Sequence, residues 1–106
     1  MSYRYMRIIV FFDLPSTTYL DQKEYNKFHK FLIKAGYIMM QESVYIKLAL
    51  NMSVVKSEKL KLEKNKPKKG IVQVLTITEK QFSQIDYIVG EKKSNVIDKE
   101  DRLLIL

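Results

Sequence analysis

The chain has 106 residues, 46% of them hydrophobic, which is enough for one globular domain with its own core. It contains no cysteine and a single histidine, His29, which excludes disulfides, thiolate zinc sites, cysteine nucleophiles and a multi-histidine metal site within one chain. No apolar stretch is long enough to span a membrane, and Met1–Arg4 lacks a signal-peptide core, so we expect a cytoplasmic protein.

The net charge of +7 at pH 7 is distributed unevenly along the chain. Residues 1–50 have seven basic and four acidic side chains, residues 51–70 have seven and two, and residues 71–106 have five and six. A basic first two-thirds favours a polyanionic partner, and a mildly acidic tail favours a different one. A lysine-rich surface that serves solubility alone is the alternative.

The first predicted element is a strand over Tyr3–Asp13, a segment rich in β-branched and aromatic residues. It ends before Pro15, because proline cannot donate a hydrogen bond to a sheet. After a loop at Leu14–Tyr19, a helix is predicted over Thr18–Ala35, since apolar and lysine side chains there fall on separate faces with a 3.6-residue period. Gly36 is a natural residue to end that helix.

Residues 37–50 alternate in hydropathy, which predicts two strands that meet near Gln41–Ser43, although no glycine or proline marks a turn there. A lysine-rich helix, further strands and a polar connector follow. In chain order they are a helix over Asn51–Asn65, a strand over Ile71–Thr78, a helical turn with a Thr-x-x-Gln capping box at Thr78–Gln81, a strand over Gln84–Val89, a connector over Glu91–Asp101 and a tail strand over Arg102–Leu106.

The order βαββαβ predicts the ferredoxin-like plan of the α+β class, with extra C-terminal strands. Two helices on one face of the sheet leave apolar strands uncovered on the other, which predicts a homodimer. We assign residues 1–90 to the ferredoxin-like domain and residues 91–106 to a C-terminal connector and interface strand. The apolar tail would pack on a partner's sheet, on another protein or on its own sheet; it consists of Leu103, Leu104, Ile105 and Leu106.

Asp13 is the strongest candidate for chemistry, because a carboxylate at the tip of a core strand needs a partner. It can cap the loop or helix that follows, pair with Arg7, or bind a metal. Mg²⁺ prefers hard oxygen ligands and keeps several waters, so one carboxylate per subunit suffices in a symmetric dimer. His29 lies next to the apolar face of its helix, which is more typical of a partly buried structural histidine than of a general base.

A stripe of lysines on the first helix is suited to a phosphate backbone, because lysine makes point-charge contacts and reads no bases. A solvated helix face is the alternative interpretation. The stripe consists of Lys23, Lys27, Lys30 and Lys34. Further candidate contacts flank the first strand and follow Gly90; they are Arg4, Arg7, Lys92 and Lys93.

Several runs together resemble a known family: Phe12-Asp13-Leu14-Pro15, Lys27–Leu32 with Gly36-Tyr37, Gln41–Tyr45 and Leu75–Phe82. In order and spacing they are similar to CRISPR-associated protein two, the small dimeric subunit of the CRISPR adaptation complex, in the version that accompanies single-protein CRISPR nucleases. The resemblance implies a homodimer flanked by CRISPR integrase subunits. It also implies magnesium-dependent cleavage of single-stranded RNA or double-stranded DNA, with Asp13 as metal ligand and catalytic residue facing its symmetry mate.

The chain departs from the nuclease-active pattern of that family. Phe12 stands where a tyrosine often precedes the aspartate, Met39 stands where an arginine is found, and Leu14–Leu20 contains no lysine or arginine. Transition-state charge would lack its usual stabilisers. The expected function is therefore a DNA-binding scaffold for spacer integration, with a weak or dispensable nuclease centre.

Two other hypotheses remain open at this point. One is a true metal-dependent nuclease acting on RNA or DNA. The other is a small regulatory ferredoxin-like domain that binds a metabolite at a dimer interface. The chain has only three glycines and no glycine-rich phosphate loop, which counts against a nucleotide site of that kind.

Overall fold

The computed structural model describes residues 5–91. In chain order the elements are β1 (Met6–Asp13), α1 (Tyr19–Lys34), β2 (Ile38–Gln41), β3 (Val44–Ala49), α2 (Met52–Lys64), β4 (Ile71–Thr78) and a short α3 (Glu79–Phe82). The strands form one sheet in the order β2-β3-β1-β4, and β1 pairs antiparallel with both β3 and β4. This is the ferredoxin-like plan, so the predicted fold class is confirmed. Within the described residues, no helix is long and apolar enough to cross a membrane.

Strand β1 lies in the middle of the sheet because its side chains are apolar on both faces. Ile8 and Val10 are 0% exposed beneath the helices, and Ile9 is 8% exposed on the opposite face, where it packs with Phe82. Burying apolar surface contributes about 25 cal/mol per Å². The core therefore fixes the position of β1, and with it the position of Asp13, its last residue.

Helix α1 begins and ends close to its predicted bounds. The Thr18 hydroxyl accepts a hydrogen bond from the Asp21 backbone N–H at 3.0 Å, and the Asp21 carboxylate accepts one from the Thr18 N–H at 3.3 Å. This reciprocal capping box satisfies amides that the first turn leaves unpaired. Gly36 follows the helix with φ at +95°, a left-handed conformation that glycine adopts readily. Phe28 is among the residues that hold α1 on the sheet.

The division of residues 37–50 into two strands is confirmed. Glu42 and Ser43 form the turn, and Ser43 has φ at +67°, which is unusual for a residue other than glycine. The carbonyl of Ser43 accepts a hydrogen bond from the Phe12 N–H at 3.1 Å. The turn between β2 and β3 is therefore tied to the end of β1, next to Asp13.

Helix α2 packs more firmly than its lysine-rich sequence indicates. It buries Val55 and Leu62, which are 0% and 5% exposed, and also Glu58, which is 3% exposed. The Glu58 carboxylate pairs with Lys47 Nζ at 2.9 Å and accepts a hydrogen bond from the Tyr37 hydroxyl at 3.2 Å. Burial alone would raise the pKa of Glu58, but the hydrogen bonds and charges of Lys47 and, to a smaller extent, Lys61 outweigh it and lower that pKa. A buried ion pair thus joins α2 to β3.

The predicted strand over Gln84–Val89 is wrong. The described chain after α3 is a turn followed by irregular structure, and the Gln84 N–H donates to the Gln81 carbonyl at 3.0 Å. A β-strand requires hydrogen bonds to a neighbouring strand, and no strand of the described structure pairs with residues 84–89. Ile88 and Val89 are 90% and 89% exposed, so their apolar character does not reflect burial within the described part of the chain.

Candidate metal and nucleic-acid site

Asp13 ends β1 opposite Ile71 of β4, and its side chain is exposed. The two structural roles considered for Asp13, capping α1 and pairing with Arg7, are filled by other residues. Thr18 caps α1, and Arg7 pairs with Glu79. Within residues 5–91, no side chain or backbone amide donates a hydrogen bond to the Asp13 carboxylate. The carboxylate is therefore available to a ligand from solvent.

Asp13 lines an open, polar cleft at the end of the sheet. The other walls come from the loop after β1, from α1 and from the turn between β2 and β3; they include Ser16, Gln22, Tyr25, Glu42 and Ser43. Glu42 thus brings a second carboxylate to the cleft, and its only signal in the sequence is a charged residue where two apolar strands meet.

Carboxylates such as these have the ligand chemistry that a hard divalent cation prefers. Mg²⁺ binds carboxylate oxygens and retains several waters, so Asp13 and Glu42 are suitable first ligands. Across the described part of the chain, no group of three or more histidine, cysteine, aspartate or glutamate residues is positioned to hold a metal. Waters, a nucleic-acid phosphate or a second protomer would have to complete the coordination.

The turn before β4 packs directly on Asp13. Gly70 has φ at +94°, and a Cβ placed there would lie 2.6 Å from the Asp13 carbonyl oxygen and 2.8 Å from Leu14 Cδ2. Glycine is required for backbones to approach so closely. This packing brings Lys68 and Lys69 to a cleft that they share with Leu14, so the loop after Asp13 has cationic neighbours from a distant part of the sequence.

Arg7 is held inside the fold. Its Nε and Nη2 donate to the two Glu79 carboxylate oxygens at 2.6 and 2.9 Å, and its guanidinium carbon lies 4.5 Å from the centre of the Phe82 ring. Such a bidentate, stacked pair is among the stronger charge contacts in proteins, and here it fastens α3 to β1. The predicted contact of Arg7 with nucleic acid remains a prediction, although its charge is already paired.

The lysine stripe of α1 is exposed, on the side opposite the buried Phe28 and Leu32. Three of its members line a shallow groove with Tyr19, Gln22 and Asn26; they are Lys23, Lys27 and Lys30. Lys34 lies in the last turn of the helix. Within the described residues, no carboxylate forms a salt bridge with any of the four.

Several predicted residues lie outside the described part of the chain, so their roles stay predictions. They are Arg4, Lys92 and Lys93 as nucleic-acid contacts and Leu103, Leu104, Ile105 and Leu106 as the interface tail. The division of the chain into residues 1–90 and 91–106 is a prediction for the same reason.

His29 has a structural contact. Its Nδ1 shares a 2.5 Å hydrogen bond with the Tyr45 hydroxyl, and the two rings meet edge to face. Burial, followed by the nearby Tyr25 and Glu42, raises the pKa of Tyr45, so that hydroxyl keeps its proton at neutral pH. The contact ties α1 to β3, and His29 is not among the residues that line the Asp13 cleft.

The face of the sheet opposite α1 and α2 is apolar and largely open. Asp13 shares its strand parity with Ile9 and Phe11, so it lies at the edge of this face. In the described structure, α3 covers part of the face through Phe82. Large apolar side chains remain exposed there at 42% to 58%; they are Ile38, Leu48, Ile71 and Leu75.

The fold and the site define a small ferredoxin-like domain that presents an exposed carboxylate at the tip of its central strand and a lysine-covered helix beside it. A family model described as CRISPR associated protein Cas2 matches residues 6–85. The chain belongs to the Cas2 family, as its sequence resemblance predicted.

Relatives match over nearly the whole chain. The CRISPR-associated endoribonuclease Cas2 of Treponema denticola is 50% identical, covering 95% of this chain and 100% of that protein. Those of Streptococcus mutans serotype c (strain UA159) and Ligilactobacillus salivarius are 45% and 40% identical, each across 95% of this chain and across 93% and 100% of their own lengths. A crystal structure of cas2 matches with a TM-score of 0.57 at 22% identity, covering 85% of this chain and 92% of that one, which supports the fold alone.

Proposed function

We propose that this protein is the scaffold subunit of a CRISPR spacer-acquisition complex, a homodimer that binds double-stranded DNA without reading its sequence. The observation that carries the proposal is the exposed lysine stripe of α1, Lys23, Lys27, Lys30 and Lys34, which forms no salt bridge within residues 5–91. Lysine contacts phosphates as a point charge, and phosphate contacts position a protein on DNA without sequence information.

The open face of the sheet supports a second copy of the chain as partner. Contiguous exposed apolar surface of this kind marks an association site in soluble proteins. Leu75, 48% exposed midway along the edge strand β4, provides a test by sedimentation. Leu75→Lys is expected to yield monomers, whereas Leu60→Lys, at a position 64% exposed on α2, is expected to leave a dimer. A wild-type monomer, or equal behaviour of the two variants, would contradict this interface.

Asp13 is proposed to hold Mg²⁺ or another divalent ion, with Glu42 beside it. Such an ion, when bound, supplies a water of lowered pKa and polarises a phosphodiester oxygen. The lack of a hydrogen-bond donor to Asp13 among the described residues, together with the polar cleft around it, supports this assignment. A two-fold axis that runs along the open face parallel to β1 would place the two Asp13 residues of a dimer at the same end of the interface.

A spacer-integration assay with Asp13→Ala tests the scaffold role. If this subunit acts as a scaffold, the complex still assembles and spacers are still inserted. Complete loss of insertion with assembly intact would instead make chemistry at Asp13 essential. Co-purification with the CRISPR integrase, using the full chain and a chain ending at residue 101, tests whether the apolar tail contacts the integrase rather than a sheet of the dimer. We expect the shorter chain to lose the integrase, and equal capture of both would refute that contact.

A metal-dependent endonuclease is the second candidate. The related proteins from Treponema denticola and Streptococcus mutans are named endoribonucleases. In addition, Lys68 and Lys69 supply positive charges near the loop after Asp13, which has none of its own. Magnesium-dependent cleavage of single-stranded RNA or double-stranded DNA by the purified protein would favour it. Cleavage should be abolished by Asp13→Asn and retained by Asp86→Asn, a matched change at an exposed aspartate.

A further inference from the structure

The start of helix α1 separates two surfaces of different chemistry. Leu20 lines the cleft between the loop after β1 and the turn before β4, where the carboxylates of Asp21 and Glu24 lie as well. Tyr19, one residue earlier, lines the groove of the lysine stripe, and no carboxylate of the described residues lines that groove with it. We call this surface the Tyr19 groove; its walls are Tyr19, Gln22, Lys23, Asn26, Lys27 and Lys30.

Tyr19 stands at the head of this groove with its ring open to solvent. It is the first residue of α1, directly after the Thr18 cap, and its side chain is 79% exposed. Within residues 5–91, no aromatic ring stacks on Tyr19 and no cation lies over its face. The reciprocal hydrogen bonds of Thr18 and Asp21 fix the first turn, and with it the backbone of Tyr19. The ring is therefore held in place but remains available to a ligand.

The lysines continue from Tyr19 along one line of the helix. Lys23, Lys27 and Lys30 follow at intervals of four, four and three residues, the spacing that places side chains one above another. With a rise of about 1.5 Å per residue, the line from Tyr19 to Lys30 is about 16 Å long. None of these lysines forms a salt bridge within the described chain, so their charges favour an anionic ligand that extends along the helix.

An aromatic ring at the head of a lysine groove suits a single-stranded nucleic acid. The bases of a single strand stack on aromatic side chains, while cationic side chains follow its phosphates. The groove has a volume of about 400 Å³, within the range of clefts that hold small molecules, so it has room for one base on the ring. A duplex keeps its bases paired and stacked inside. It therefore meets the lysines but offers no open base face to Tyr19.

Gln22 connects the Tyr19 groove to the Asp13 cleft, because its side chain lines both. Its Nε2 donates a hydrogen bond to the Ser16 carbonyl at 3.0 Å, which holds the amide at the boundary between the two. A strand bound in the groove is therefore next to the cleft that the proposed function assigns to a divalent ion.

We propose that the Tyr19 groove binds single-stranded nucleic acid, with Tyr19 stacked on one base and Lys23, Lys27 and Lys30 in contact with the phosphates. The proposal deepens the proposed function and rests on it, since the same lysines contact duplex DNA. Tyr19 adds a contact that only an unpaired base satisfies. It distinguishes single strands from duplexes but not one sequence from another, because every base has a face on which an aromatic ring stacks.

The test compares three fluorescent probes by anisotropy: oligothymidine, an abasic strand of the same length, and a flush duplex. The single strands have about ten nucleotides, a length within the site sizes of single-strand-binding domains. Binding is measured with the full chain at one salt concentration and in EDTA, so that no cleavage occurs. We expect oligothymidine to bind about fivefold more tightly than the abasic strand, the lower end of what stacking of one base contributes.

Tyr19→Ser is the diagnostic variant, and Tyr19→Phe and Leu20→Ser are its controls. Tyr19→Ser should bind the two single strands equally, while flush-duplex binding stays unchanged. Tyr19→Phe retains the ring and should retain the preference for oligothymidine. Leu20→Ser should retain it as well, because Leu20 is 68% exposed on the same turn but does not line the groove.

Equal binding of oligothymidine and the abasic strand by the wild-type protein, with flush-duplex binding intact, overturns the stacking site and leaves the proposed function standing. A preference that survives in Tyr19→Ser also overturns it. Oligouridine should show the same dependence on Tyr19, since neither stacking nor phosphate contact involves the sugar, and dependence with DNA alone would contradict this contact. Failure of the protein to bind any probe, even in dilute buffer, overturns both the groove and the proposed function.

Discussion

Replacing Gly70 with alanine tests how tightly the turn before β4 is seated on Asp13. The new Cβ would stand 2.6 Å from the Asp13 carbonyl oxygen, and φ at +94° would strain any residue with a side chain. The backbone strain costs about 1–2 kcal/mol. Relief of the clash by backbone shifts costs about a further 1–3 kcal/mol, as in overpacked cores. We therefore expect Gly70→Ala to lower the free energy of unfolding by about 2–5 kcal/mol, the sum of these two costs.

Gly90→Ala is the matched control. Gly90 has nearly the same φ, +91°, but among the described residues nothing lies within 4 Å of a Cβ placed there. Its cost is the backbone strain alone, about 1–2 kcal/mol, and the loss of unfolded-state entropy is shared by both variants. Urea denaturation at equal protein concentration measures the difference, provided that the m-values agree. Equal midpoints for Gly70→Ala and Gly90→Ala would refute the close approach to Asp13.

Further predictions concern the buried ion pair and the Asp13 carboxylate. Lys47→Met should lower the free energy of unfolding by about 3 kcal/mol, because it leaves Glu58 without its main partner. The double variant Lys47→Met with Glu58→Leu should recover most of that loss in urea denaturation. Without such a recovery, the ion pair would not be the cause of the loss. Folding lowers the pKa of Glu58, so in acid the unfolded chain binds a proton that the folded chain does not. The contribution of Glu58 to the free energy of unfolding is therefore present at neutral pH. It is lost as the pH falls through the lowered pKa of the folded state. Wild type and Glu58→Gln should therefore differ in stability at neutral pH and converge in acid, and a gap that is constant with pH would contradict this. Asp13→Asn should change thermal stability by about 0.5 kcal/mol or less. By comparison, Thr18→Ala should lower stability by about 1 kcal/mol, because it removes the N-cap of α1. A large loss of stability in Asp13→Asn would reveal a structural partner for that carboxylate.

Local sequence patterns were sufficient for the elements on which Asp13 depends. The apolar run of β1 and the 3.6-residue period of α1 predict their structures because each pattern directly reflects which faces are buried. Thr18 and Asp21 mark the start of α1 by a short-range capping interaction. Even the turn at Glu42 and Ser43 was predictable from topology, although no glycine signals it.

Pairings between distant segments were not predictable in the same way. Arg7 and Glu79 are 72 residues apart, and their pairing follows from where α3 lies after β4 crosses the sheet. Lys68 and Lys69 reach the loop after Asp13 because β4 pairs with β1 in a register that sets Ile71 opposite Asp13. The mistaken strand over Gln84–Val89 has a related origin, since alternation describes a side-chain pattern and a strand also needs a pairing neighbour.

The salt dependence of DNA binding is the sharpest test of whether the lysine stripe of α1 binds duplex DNA through its phosphates. Two duplexes of equal length and unrelated sequence would be titrated with the dimer across a salt series. We expect the two duplexes to bind with equal affinity, and log Kobs to fall linearly with the logarithm of the salt concentration. Changing lysines of α1 to glutamine should make that slope shallower by about 0.9 for each phosphate that is no longer neutralised. Affinity that is independent of salt, or tight binding to one sequence and not the other, would contradict it.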